Sequence, residues 1–245
     1  MPDTTTVEDK IIIALDVGTK AEALALAIEL PDARIFKVGM ELFTAEGPAL
    51  LEEIAGLGKR AFLDLKYHDI PNTAAGAVRS AVRHGVYMLT LHASGGREML
   101  SRAVEAARSE AAGSGRQNPI LLGVTVLTSL KDEQLREIGW AAPVADQVVR
   151  LAALARESGV DGVVCSPHEI EVIKLKLGKD FLVVTPGIRP AWAAAQDQKR
   201  IMTPAEAVFR GADYMVIGRP VTAAPSPREA FALIVRELAQ NPPLK

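Results

Sequence analysis

A (β/α)₈ barrel, the TIM-barrel architecture of the α/β class, is the fold the sequence predicts. Three observations predict it. Short apolar runs alternate with helical stretches along the whole chain, eight times over. The runs are continuously apolar, as parallel strands covered on both faces are. No long linker or shift in composition divides the 245 residues, Gly113-Ser114-Gly115 being the one loop with linker composition, and at this length an α/β barrel is ordinarily one domain. Residues 1–245 are therefore expected to be a single barrel domain, with a polar N-terminal tail over 1–10. The competing arrangement, an open doubly wound sheet, would want a glycine-rich turn after its first strand. The turn here, Asp16-Val17-Gly18-Thr19, has one glycine.

The elements follow in order. Ile11-Ile12-Ile13-Ala14-Leu15 reads as the first strand and ends at Asp16. An Ala/Leu-rich helix is expected over 20–30. Arg34-Ile35-Phe36-Lys37-Val38 is the second strand, closed by Gly39, and a helix over 44–57 follows it. The third strand begins at Ala61-Phe62-Leu63 and runs into Asp64-Leu65-Lys66-Tyr67-His68-Asp69. Pro71 has no amide hydrogen, so the strand is over by there and a helix can start. That helix spans 72–84, with Ala75, Val78 and Val82 at helical spacing and Gly85 as its stop. Strand four covers 86–91 and ends at His92; its helix covers 97–112. Strand five covers 119–127, followed by helical pieces near 132–138 and over 144–158. Strand six covers 160–165 with a helix over 167–177, and strand seven covers 181–185. A long segment, 186–202, precedes a helix over 205–210. Strand eight covers 214–217 and ends at Gly218-Arg219-Pro220, and a helix over 227–240 closes the chain.

Composition narrows the function. Hydrophobic residues make up 49% and charged residues 24%, an ordinary globular balance. A formal charge of −2 gives no electrostatic case for nucleic acid or an anionic membrane. The single cysteine, Cys165, excludes an internal disulfide and suits a reducing compartment. It follows Gly162-Val163-Val164 and reads as core filling. The N-terminal residues lack the apolar stretch of a signal peptide, and no apolar run approaches the roughly 20 residues a membrane span needs. A cytoplasmic protein is the expectation. No Cys/His cluster has metal spacing, and there is no GxGxxG or Walker loop; neither a metal nor an organic cofactor is expected.

In this fold the active site lies at the C-terminal ends of the strands. Those ends carry Asp16, Lys37, Asp64 with Lys66, His92, Thr128, the seventh loop, and Gly218-Arg219. Residues two apart on a strand point the same way, so Asp64 and Lys66 project together while Leu63 and Leu65 pack behind. Asp69 stands in the loop beyond, placed either to join this cluster or to reach a partner. Lys37 lies between Phe36 and Val38; facing inward, it needs an anionic neighbour, because an unpaired buried charge is very costly. Asp64 is the expected one. Loops seven and eight are the usual phosphate site of the fold. Gly218 permits close backbone approach and Arg219 offers a planar fork of donors, while Arg189 and Gln198 lie in the long seventh loop, ready to cover a phosphate. Each of Arg189, Gln198 and Arg219 alone reads as a solvated surface residue; together they read as a site. His92 either lines the pocket or braces a residue that does. His68 and His168 read as surface residues, and Trp192 as part of a lid.

Asp64-Leu65-Lys66-Tyr67-His68-Asp69-Ile70-Pro71-Asn72-Thr73 resembles the signature of the orotidine 5′-phosphate decarboxylase family. The resemblance extends over the chain through Ala14-Leu15-Asp16, Phe36-Lys37-Val38-Gly39, Val126-Leu127-Thr128-Ser129, Thr185-Pro186-Gly187-Ile188-Arg189-Pro190, Asp197-Gln198-Lys199-Arg200 and Gly218-Arg219-Pro220. One departure is Gln196, where the family commonly has glycine before Asp-Gln. The resemblance implies cofactor-free conversion of orotidine 5′-phosphate to UMP and CO₂. It implies a charge array of Lys37, Asp64, Lys66 and Asp69 around the pyrimidine C6, with Lys66 as proton donor. It implies a homodimer in which Asp69 and Thr73 serve the partner's site. Asp16 and Lys37 would hold the ribose, Thr128 the pyrimidine edge, and Arg189, Gln198, Gly218 and Arg219 the phosphate. Two other readings compete. Metal-dependent sugar-phosphate lyases share a similar Asp-x-Lys-x-x-Asp run but carry a glutamate metal ligand where this chain has Lys37. A non-catalytic phosphate-binding barrel would have no reason to crowd two lysines and two aspartates.

Overall fold

The computed structural model describes residues 6–193 and 202–241. Eight parallel strands close into a barrel in sequence order. β1 (Ile11–Leu15) is followed by α1 (Lys20–Glu29), and β2 (Ile35–Gly39) by α2 (Met40–Glu46) and α3 (Ala49–Gly56). β3 (Arg60–Tyr67) leads to α4 (Pro71–Arg83), and β4 (Met88–His92) to α5 (Gly96–Ser114). β5 (Ile120–Val124) precedes α6 (Asp132–Glu137) and α7 (Val144–Glu157), and β6 (Gly162–Val164) precedes α8 (Ile170–Leu177). β7 (Leu182–Pro186), α9 (Pro204–Phe209), β8 (Tyr214–Ile217), α10 (Arg219–Thr222) and α11 (Pro227–Gln240) complete the order.

The expected elements are all present, with three differences. The helix expected over 44–57 is two helices, because Gly47 takes a left-handed φ of 71° and Pro48 cannot donate into a continuing helix. The expected tail over 1–10 is folded from Val7: a 3₁₀ turn, Val7–Lys10, enters β1. The fifth strand ends at Val124, not 127.

Strand parity divides the core in two. Ile12 and Ala14 of β1, Ile35 of β2, Phe62 of β3, Met88 of β4, Leu122 of β5, Val184 of β7 and Val216 of β8 fill the barrel interior. The other parity, including Ile13, Phe36, Leu63, Leu89, Val163, Cys165 and Ile217, packs outward against the helices. Cys165 is fully buried there, and burial pushes its thiol well above the ordinary range; it fills space, as read from the sequence. The interior columns also dictate what reaches the barrel mouth. Two residues beyond Ala14 is Asp16, two beyond Ile35 is Lys37, two beyond Phe62 is Asp64 and two beyond Met88 is Thr90. A floor of apolar side chains thus ends in a ring of polar ones.

At the opposite end, Asp9 fastens the N-terminal turn to the barrel. Its carboxylate accepts from Arg34 of the α1–β2 connection at 2.9 Å, from Arg60 at the start of β3, and from the Thr6 backbone at 3.1 Å. Burial alone would raise its pKa, but the hydrogen bonds from Arg60 and Thr6 outweigh burial and hold the carboxyl below the usual carboxylate range. A folded-state pKa below the unfolded one contributes stability above the unfolded value, and that stability is lost as pH falls through the folded value. Asp9→Asn is therefore expected to cost roughly 1–3 kcal/mol at neutral pH. The gap from wild type should narrow below about pH 4, as read from denaturant midpoints across pH.

Candidate active site

The ends of β1, β2 and β3 deliver charged residues to one place. Lys37 Nζ lies 3.0 Å from an Asp16 oxygen and 3.9 Å from Asp64. Lys66 Nζ lies 2.9 Å from both oxygens of Asp64. Four charges from three strands form an alternating line: Asp16, Lys37, Asp64, Lys66. The expected pairing of Lys37 with Asp64 exists, but the tighter partner is Asp16. Lys37 and Asp64 have side chains only 12% and 14% exposed, whereas Asp16 is 64% exposed. The line therefore runs from solvent into the barrel mouth. Gly39 makes room for it, since a Cβ there would stand 3.1 Å from the Lys37 ammonium.

Asp64 and Lys66 do meet, but not through plain strand alternation. The β3–β4 register runs Leu63 opposite Leu89, then Tyr67 opposite Leu91. Three residues of β3, Asp64, Leu65 and Lys66, face one residue of β4, Thr90. This is an enlarged β-bulge, and it re-aims side chains as bulges do. Lys66 sits in it at a φ of 50°, the one non-glycine with positive φ among the described residues. An interrupted ladder leaves backbone donors without partners. Thr90 meets this need: its hydroxyl accepts from the Lys66 amide at 2.9 Å and donates to an Asp64 oxygen at 3.0 Å. Thr90 is not among the residues the sequence singles out. The available signal was its place as the one polar residue between Met88 and His92, in the inward register.

His92 ends the same inward column. Its ring centroid lies 5.3 Å from that of His68. Burial, then the charges of His68 and Lys66, lower its pKa against the opposing pull of Asp64. Burial thus favours the neutral imidazole at His92.

The remaining predicted residues divide. Asp69 and Thr73 are exposed, and neither shares a hydrogen bond or ion pair with the array among the described residues; Asp69 accepts from the Ile70 amide at 2.6 Å. Thr128 is exposed after β5 and lines a cleft of about 490 Å³ with Lys131, Ser166, His168 and Glu169. No hydrogen bond joins it to the array among the described residues. Gly218 comes close to Asp16, where a Cβ would lie 3.7 Å from Oδ2 and 3.5 Å from Ala14. Those are ordinary contacts, so the barrel's own packing does not demand glycine there. Arg219 is exposed at the start of α10. Arg189 is half-buried, and its amide donates to the Met202 carbonyl at 3.1 Å. With the Ile188–Met202 bridge, this closes the base of the seventh loop. Trp192 lies in a 3₁₀ turn of that loop, 45% exposed. Gln198 and Gln196 lie outside the described residues.

The model of the orotidine 5′-phosphate decarboxylase / HUMPS family matches residues 9–234. The chain belongs to this family. An orotidine 5′-phosphate decarboxylase of Moorella thermoacetica is 54% identical over 94% of this chain and 92% of its own length. One of Gloeothece citriformis is 48% identical over 96% and 99%. The crystal structure of orotidine 5′-phosphate decarboxylase from Lactobacillus acidophilus superposes with a TM-score of 0.84 at 38% identity, covering 93% of this chain and 97% of that one. No helix among the described residues is long and apolar enough to cross a membrane.

The left-handed backbone at Lys66 has a measurable cost. A side chain with a Cβ loses about 1–2 kcal/mol in this conformation relative to glycine. Lys66→Gly and Lys66→Ala both remove the ammonium, so their difference isolates the backbone. Lys66→Gly is expected to be the more stable of the two by about 1 kcal/mol, measured by denaturant unfolding.

Proposed function

We propose that the chain decarboxylates orotidine 5′-phosphate to UMP and CO₂, the closing step of pyrimidine nucleotide synthesis, in the cytoplasm and without a cofactor. The observation that carries this reading is the Lys66 ammonium resting 2.9 Å from both Asp64 oxygens, with Lys37 on the other side. Loss of CO₂ breaks the C6–carboxyl bond and leaves its electron pair at C6. The pyrimidine offers no adjacent sink for that pair. Fixed positive charge set in place beforehand lowers the cost, because nothing need reorganise as the charge develops. Lys66 is that charge, and its proton passes to C6 as CO₂ departs. Asp64 holds Lys66 in position and stands against the substrate carboxylate.

Around this centre, Asp16 and Lys37 hold the ribose hydroxyls and Thr128 the pyrimidine edge. Arg189, Gln198, Gly218 and Arg219 take the phosphate at the loops where this fold ordinarily binds one. The relatives' names support the substrate. The lysine pair favours this reading over a metal-dependent lyase: each carboxylate of the array that could ligate a cation already faces an ammonium.

The working unit is a homodimer with shared sites. Asp69 and Thr73 lie exposed beyond the barrel mouth, next to Ile70, whose apolar side chain is 68% exposed. A partner docked on this face would receive Asp69 beside its own Lys66. Lys66→Ala and Asp69→Ala homodimers should each be inactive on orotidine 5′-phosphate. Exchanging subunits between them creates one site with both lesions and one with neither. Random mixing gives about half heterodimers, so about a quarter of wild-type activity should return. No recovery after verified exchange contradicts the shared site, and an active Lys66→Ala homodimer contradicts the role of Lys66.

A further inference from the structure

We propose that Thr90 is a positioning residue for the decarboxylation, holding Lys66 and Asp64 in their working geometry through one hydroxyl. The inference rests on the reading of the site given above. Three observations carry it. Thr90 is 1% exposed, so its hydroxyl has no bulk water to turn to. It faces the bulge alone, one residue of β4 against three of β3. Its one donor and one of its two acceptor sites are spent on the array: it accepts from the Lys66 amide at 2.9 Å and donates to Asp64 at 3.0 Å.

The two bonds act together. Lys66 is held at a φ of 50°, where a lysine is not at ease. The amide bond to Thr90 offsets that strain and keeps the ladder's interruption satisfied. The hydroxyl proton fixes one Asp64 oxygen, and the same oxygen lies 2.9 Å from the Lys66 ammonium. Backbone and side chain of Lys66 are thereby tied to one atom, Thr90 Oγ1, one directly and one through Asp64. Without that hydroxyl, Lys66 is free to relax toward an extended φ, and its ammonium would swing away from C6. Displacements of about 1 Å at a reacting group can cost about a hundredfold in rate.

Valine has the shape of threonine without the hydroxyl. Thr90→Val, Thr90→Ser and wild type would be compared in kcat and KM on orotidine 5′-phosphate, and in UMP affinity and binding stoichiometry by calorimetry. Thr90→Val is expected to lose about ten- to a hundredfold in kcat. Its UMP sites should stay fully occupied, with affinity within about threefold, because UMP lacks the carboxyl group that the array confronts. Thr90→Ser keeps the hydroxyl and should recover to within about threefold of wild-type kcat. A valine variant with wild-type kcat overturns the proposal. So does a loss of kcat matched by an equal loss of UMP sites, which marks a folding defect, and so does a serine variant as impaired as valine. If Thr90→Val does not fold, Thr90→Ala stands in under the same criteria. Failure of the wild type to form UMP would refute the decarboxylase reading instead, so the two failures are distinct.

Discussion

The Asp64 carboxylate is largely buried at the barrel mouth, and two ammonium groups and a hydroxyl surround it. Remove any of these and a charge is left with too little solvent and too few partners. Every other feature of the site follows from meeting that need. Lys37 rises from the apolar interior to its left and Lys66 from the bulge to its right, while Thr90 comes from the next strand over. The barrel supplies the rigid floor: Ile12, Ala14, Ile35, Phe62, Met88 and Val216 pack beneath the array and prevent its side chains from collapsing inward. Catalysis by fixed charge needs this rigidity, since charges that relax around the substrate lose what they stabilise in the transition state.

Much of this was legible in the sequence, for physical reasons. Parallel strands buried on both faces must be continuously apolar, so a lysine in Ile35-Phe36-Lys37-Val38 or a charge run after Phe62-Leu63 is conspicuous. Glycine and proline fix where elements stop, and the helix starting at Pro71 was placed to within a residue. What was not legible is local and tertiary. Alternation brings Asp64 and Lys66 together on paper, yet the chain does it through a bulge and a left-handed lysine. No propensity announces a bulge opposite a residue on another strand. Thr90 was passed over for the same reason: threonine suits any strand, and only the register shows that it stands alone against three residues. The pairing of Lys37 with Asp16 follows from how β1 and β2 align, Ala14 beside Lys37, which spacing within one strand cannot give.

The exposed residues tell a complementary story. Asp69, Ile70 and Thr73 are exposed just beyond the strand end that carries Asp64 and Lys66. In the proposed shared site, Asp69 of the partner subunit would bracket Lys66 from the far side and limit the directions in which the ammonium can point.

The central claim is that this preset array, and no bound metal, drives the reaction. Protein dialysed against chelator and then given orotidine 5′-phosphate tests it most directly, followed by the loss of pyrimidine absorbance and the appearance of UMP. The account predicts turnover equal to that of untreated protein and unchanged by added magnesium. Turnover that vanishes on chelation and returns with magnesium would contradict it.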